Sequence, residues 1–320
     1  MKLMRNILGA ALLAVVAHSA FAQAWPTQPV RIVVPYPAGG AVDFLARQYA
    51  AKLSIELRQT VLVDNRAGAG GLIGADYVAK ARPDGYTLVL GTNSSHAIAP
   101  SVVKKMPYDP VNDFAPVSLL AVTPYVVVVN PEVPAKTLAE LIALAKSKPD
   151  TLAFGSAGSG TTPHLAGELF STMTGVKMRH IPYKGSGPMV NDLLGGQIQL
   201  AFDNSAMSQI KAGKLRALSV TGSHRLPSLP DVPTPAEAGL PGYEVLGWFG
   251  LYAPKGTPND IVALLARETR KIMAMPDLVE RITGFGLTAR PIAQAEFNAF
   301  LVSDTAKWAN VVKDANVQLE

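Results

Sequence analysis

Cysteine is absent from the 320-residue sequence. Its absence excludes a disulfide framework, thiol catalysis, zinc-thiolate sites and the lipid-bearing cysteine that would tether an exported bacterial protein to a membrane. Histidine is scarce, and His96, His164, His180 and His224 show no metal-ligand spacing. There is no G-x-S-x-G nucleophile elbow. Clusters of lysine and arginine are also missing. The cations are mostly scattered singly over a chain of formal charge +5, which reads as a solvated surface and gives no sign of a nucleic-acid partner. No apolar run reaches the about 20 residues a bilayer span needs, and no internal repeat of fixed period is present.

At the amino end, Lys2 and Arg5 precede an apolar run from Ile7 to Ala17, and Ala20-Phe21-Ala22 offers small residues at cleavage positions. Residues 1–22 therefore read as a secretory signal peptide, with a mature protein starting near Gln23. Removing two cations and no acid takes the formal charge from +5 to +3. A mature chain of this size, 48% hydrophobic, has core enough for two units.

Short β-branched runs alternate with helical patterns, beginning with Val30–Val34, Val61–Val63, Tyr86–Leu90 and Tyr125–Val129. Alternation of this kind predicts α/β architecture with mainly parallel sheets. Later strands are expected at Leu152–Phe154, Ile198–Phe202, Leu215–Val220 and Val245–Tyr252. Helices are expected near 163–174, 188–195, 259–274 and 294–314, and another after the Thr137-x-x-Glu140 capping box. The stretch Leu226–Gly242 reads as a surface connection with at most one short helix near Pro235–Glu237.

Five turns rich in small or hydroxyl residues, most of them at the carboxyl end of a strand, can each open a helix. They are Tyr36–Asp43 (with Ala38, Gly39, Gly40), Gly91–Ser95 (with Asn93, Ser94), Gly155–Thr162 (with Ser156, Gly158, Ser159, Thr161), Tyr183–Gly187 (with Lys184, Gly185) and Asp203–Ser205. Helix starts leave several N–H groups unpaired and carry about half a positive charge, and glycine admits a ligand oxygen to the backbone. Ligands of open α/β sheets sit beyond the carboxyl ends of the strands, where these turns converge. Ordinary capping explains any one turn as well as function does; five together point to a small anion. Gly155–Gly160 has the spacing G-x-x-G-x-G, which matches neither a dinucleotide fingerprint nor a phosphate loop. His164 lies in the first turn of a helix, as a donor to ligand or as a structural histidine. Asp43 reads as a cap or as a site residue, Asp203 as a cap or as the orienter of a ligand amine or water, and Lys184 as an exposed lysine or an anion partner.

These stretches strongly resemble the tripartite tricarboxylate transporter receptor family, also called the Bordetella uptake gene family of periplasmic solute receptors. The resemblance rests on Pro29–Pro35 leading to Pro37-Ala38-Gly39-Gly40-Ala41-Val42-Asp43, on Val63–Gly71, on Pro83–Leu88, on Tyr183-Lys184-Gly185 and on Leu194–Ile198. It covers essentially the whole mature chain. It implies a two-lobed type II periplasmic-binding-protein fold with the ligand cleft between the lobes, hinged on crossing strands. It also implies that the Ala38-Gly39-Gly40 and Ser156–Thr162 loops grip a carboxylate through amides, hydroxyls and bridging waters, and that Asp203 is the acidic position at the cleft. Such receptors take dicarboxylates, tricarboxylates, acidic amino acids, aromatic acids or sometimes uncharged amides and vitamins, and deliver them to a membrane permease pair. The sequence departs from the family pattern at Ala41, where glycine or a polar residue is frequent. Trp248-Phe249 could line an apolar pocket or be core.

The expectation is a non-enzymatic, monomeric periplasmic receptor for a small anionic metabolite, with membrane permease subunits as partners and no cofactor or metal. Residues 24–124 plus 247–320 form one lobe and 125–246 the other. Two competing readings are a ligand sensor of the same fold and an exported hydrolase using Ser156 or Ser94 with His164.

Overall fold

The computed structural model describes residues 25–314 and Val317. The leader assigned to residues 1–22 lies outside them. The strands are β1 (Val30–Val34), β2 (Val61–Asn65), β3 (Thr87–Thr92), β4 (Phe114–Pro124), β5 (Val126–Val129), β6 (Ala153–Ser156), β7 (Arg179–Pro182), β8 (Leu200–Phe202), β9 (Arg216–Val220), β10 (Leu246–Pro254) and β11 (Thr288–Ile292). The α-helices are α1 (Ala41–Leu57), α2 (Leu72–Ala79), α3 (Ala99–Val102), α4 (Leu138–Ser147), α5 (Thr162–Thr174), α6 (Ser186–Leu194), α7 (Met207–Lys211), α8 (Asn259–Ile272), α9 (Pro276–Gly284) and α10 (Gln294–Asp314).

Two sheets organise the chain. A six-stranded sheet has the order β11-β4-β10-β3-β1-β2, and a five-stranded sheet the order β7-β6-β8-β5-β9. β1 pairs in parallel with β2 and β3, and β6 in parallel with β7 and β8. The expectation of mainly parallel sheets is corrected here: β10 runs antiparallel to β3 and β4, β11 to β4, and β5 to β8 and β9. The reason is topological. The chain passes between the sheets as strands, without a crossover helix, so each strand that enters or leaves a sheet lies against neighbours of opposite sense.

β4 passes almost directly into β5 at Tyr125, and the return path runs through residues 221–245 into β10. Thr221, fully buried, ties the two passages together. Its hydroxyl accepts from Tyr125 N at 2.8 Å and donates to Val245 O at 2.6 Å, while its carbonyl accepts from Val245 N at 3.0 Å.

The capping box at α4 forms in modified geometry. Thr137 Oγ1 accepts from Glu140 N at 3.1 Å, but the Glu140 carboxylate reaches back to Lys136 N instead of the cap amide. Helix α10 buries Phe297, Leu301, Trp308 and Val312, with Phe300 and Val311 packed beside them. One apolar cluster runs through both sheets, joining Val33 and Val89 to Val127 and Phe154. The remaining face of each sheet has a cluster of its own.

Candidate functional site

The carboxyl ends of β1, β3, β6 and β8 converge on a small, partly open cavity of about 60 Å³. One water needs about 10–15 Å³ by this measure, so the space holds a few waters or a small organic molecule. From the six-stranded side it is lined by Tyr36, Gly40, Asn93, Ser94 and Phe249, and from the five-stranded side by Tyr125, Ala157, Thr161, Ser186 and Asp203. An outer cleft of about 940 Å³ shares Tyr36, Pro37, Ser94 and Ala157 with it and is bordered by Gly68–Gly71, Ser159, Lys184 and Gly185.

Helix starts supply the donors. Gly40 caps α1 through its backbone, Phe44 N is the first amide bonded back to Gly40 O, and Ala41 and Val42, which line the cavity, keep amides without an intrahelical acceptor. Gly185 caps α6, whose first residues Ser186 and Gly187 line the opposite wall. At α5 the arrangement differs. Thr162 N donates to Ser94 Oγ at 3.0 Å, and the two hydroxyls lie 3.1 Å apart, so this helix start is bonded to the facing sheet. The helix starts at Thr162, one residue earlier than the sequence pattern predicts, with Pro163 second.

The loop before α1 is shaped by Asp43. Its carboxylate accepts from Gly39 N at 3.0 Å, from Asn65 Nδ2 at 2.9 Å and from Arg47. Burial alone would raise its pKa, but these donors hold it below the usual carboxylate range. Gly39, at φ +94, thus has its amide engaged inside the loop. Ala38 and Gly39 are exposed and line neither space.

In the facing loop, Ser156 Oγ accepts from Gly158 N at 3.1 Å and lies 2.7 Å from His180 Nε2, while Thr161 Oγ1 donates to Gly158 O. His164 stacks on His180 with ring centroids 3.8 Å apart, and its Nδ1 accepts from Gly160 N. Burial, with repulsion from His164, lowers the His180 pKa to about 3. Neither Ser94 nor Ser156 is bonded to His164, so the Ser–His164 pair a hydrolase would need is not formed. Tyr183 turns to α6, donating its hydroxyl to Asp192 at 2.7 Å.

Of the sequence candidates, Tyr36, Gly40, Asn93, Ser94, Thr161 and Asp203 meet at the cavity. Gly158, Ser159, Tyr183, Lys184 and Gly185 border the outer cleft, while Asp43, Ser156, Thr162 and His164 stand behind the walls and shape them. Thr92, Tyr125, Ala157, Ser186, Gly187, Asn204 and Ser205 are lining residues that were not singled out. All but Tyr125 belong to the five turns. Tyr125, at the junction of β4 and β5, gives no sequence signal. Phe249 lines the cavity, whereas Trp248 points the other way, as alternation along β10 requires, and donates Nε1 to Asp304 at 2.7 Å.

Asp203 is 1% exposed. It accepts from Ser205 N at 2.7 Å and from Ser186 Oγ at 2.8 Å, and burial raises its pKa despite these donors. A wider surface groove beside α2, about 660 Å³, is lined by Arg66, Asp76 and Lys80 among others. Arg66 is paired with Asp64 and Lys80 with Asp76, so that groove offers no unpaired charge from these residues.

Two α/β units with a shared cavity at the carboxyl ends of their strands define the periplasmic-binding-protein fold. Rhodopseudomonas palustris Rpa4515, solved with adipate, is 39% identical and superposes with a TM-score of 0.90, covering 92% of this chain and 99% of that one. MatC (Rpa3494) of the same organism, solved with bound malate, is 34% identical with a TM-score of 0.86, covering 90% and 100%. BugT of Bordetella pertussis is 38% identical over 95% of this chain and 94% of its own length. The model of the tripartite tricarboxylate transporter family receptors matches residues 45–317, and the chain belongs to that family. Its members are substrate-binding receptors, not enzymes. Among the described residues no helix is long and apolar enough to cross a membrane.

Proposed function

We propose that this chain is a periplasmic receptor that encloses a small carboxylic acid between its lobes and delivers it, as a monomer, to membrane permease subunits. The observation that carries the reading is the cavity itself, walled on both sides by helix starts with unpaired amides from Ala41, Val42, Ser186 and Gly187. Such groups replace the hydration shell of a carboxylate without any lysine or arginine. Adipate in one relative and malate in another support a short acid as the ligand. The lobes comprise residues 24–124 with 247–320, and 125–246; they hinge where Thr221 joins the two passages, and opening the Ser94–Thr162 contact admits the ligand.

A thermal-shift series with short mono-, di- and tricarboxylates, acidic amino acids and aromatic acids tests the reading. A ligand at 100 times its dissociation constant adds about 2.7 kcal/mol to stability. A flat melting temperature across the whole series would remove the basis for it.

A further inference from the structure

Asp203 is the acid of the cavity, and the role assigned to it below rests on the carboxylic-acid reading above. The ionisable side chains lining the cavity are Asp203 and two phenols, Tyr36 and Tyr125. No lysine, arginine or histidine is among the lining residues, and Lys184 is exposed at the outer cleft. Around Asp203, β5 contributes Val126 O, which accepts from Asp203 N; α6 contributes the Ser186 hydroxyl; the following turn contributes Ser205 N. All three are uncharged. Tyr125, which also lines the cavity, is itself pushed up by burial, and the Asp203 charge pushes it further.

A carboxylate has about four acceptor positions, and the two bonds from Ser186 and Ser205 leave capacity on the side lining the cavity. One carboxylate of an entering diacid is satisfied by helix-start amides. The second is then enclosed with Asp203 and no cation. Two carboxylates confined together in a water-poor space do not both stay ionised.

We propose that Asp203 is the specificity-determining residue of the cavity, taking up one proton from solvent when a dicarboxylate is captured and sharing it with the ligand's far carboxylate. The balance is simple: a ligand dianion, the Asp203 anion and one proton give an enclosed pair of net charge −2, with one new O–H bond and nothing released. A monoacid of the same length with a neutral donor at its far end gives that hydrogen to the ionised Asp203 and takes up no proton.

The test is calorimetric titration of the mature protein with adipate, malate and adipamate, the half-amide of adipate, near pH 8 in phosphate and in Tris, whose ionisation enthalpies differ. The wild type is expected to take up about one proton per diacid, with affinity falling about tenfold per pH unit in this range, and none with adipamate. In Asp203→Asn the uptake disappears and the pH profile flattens. Diacid binding with the same heat in both buffers and a flat pH profile overturns the proposal, whether or not the variant folds, as does uptake that survives in Asp203→Asn. If adipamate binds and the diacids show no linkage, this step alone fails; if no acid of the wider series binds, the carboxylate reading fails and takes the proposal with it.

Discussion

His96 sits fully buried one residue after the Ser95 hydroxyl that bonds its Nδ1, stacked on Tyr252 with centroids 4.3 Å apart. Burial lowers its pKa from 6.5 to about 3. As pH falls below about 6.5 the unfolded chain takes up a proton at this site and the folded chain does not, so stability is lost on acidification through that window. Between pH 7 and pH 5 the loss is about 2 kcal/mol for this histidine alone, and urea midpoints at the two pH values measure it. In His96→Gln the difference between the two midpoints shrinks; an equal acid loss in both proteins would refute the assignment. The residue scale is also where the sequence is least informative. Hydroxyls and glycines in the turns mark the neighbourhood of the cavity. They do not tell that the Gly39 amide closes on Asp43 or that Ser156 bonds His180, because those pairings depend on side-chain directions set by the folded loops.

At the scale of elements, the contact between Gly185 and Pro37 joins the start of α6 to the loop before α1. Gly185 has φ +118, and a Cβ there would stand 2.9 Å from Pro37 Cγ. Gly185→Ala therefore strains the backbone and pushes the facing walls apart. The expected result is a larger radius of gyration by small-angle scattering and at least a tenfold weaker affinity for whichever acid the wild type binds, with helix content by circular dichroism unchanged. A variant that scatters and binds as the wild type does would show that the contact is not closure-limiting. Most elements were legible, since buried β-branched runs and a capping box are local signals. β4 was not, because Pro116 interrupts its pattern; it survives in the sheet with irregular registers against β10. β7, β11 and α2 are short and partly exposed, so little periodicity marks them, whereas α9 carries an apolar stripe with Leu278 and Ile282 buried that sequence reasoning missed.

Over the whole molecule, the apolar cluster common to both sheets and the Thr221 bonds at the crossing make independent melting of the lobes costly. Calorimetry of the ligand-free protein is expected to give one transition whose van't Hoff and calorimetric enthalpies agree. Two resolved peaks would mean that the crossing segments insulate the lobes from each other. The two-lobed plan was readable from alternating strand and helix patterns together with the family-like motifs. Strand direction was not, because sense within a sheet depends on how the chain returns, and residues 221–245 have no periodic pattern that shows it.

β10 enters the six-stranded sheet between β3 and β4, although more than a hundred residues separate it in sequence from either. Until that late segment arrives, two long rows of backbone donors and acceptors stay bare in the middle of the molecule. A chain cut short before Leu246 would therefore present two unguarded edges to its neighbours, and self-association of such fragments, not a stable half-protein, is the outcome built into this topology.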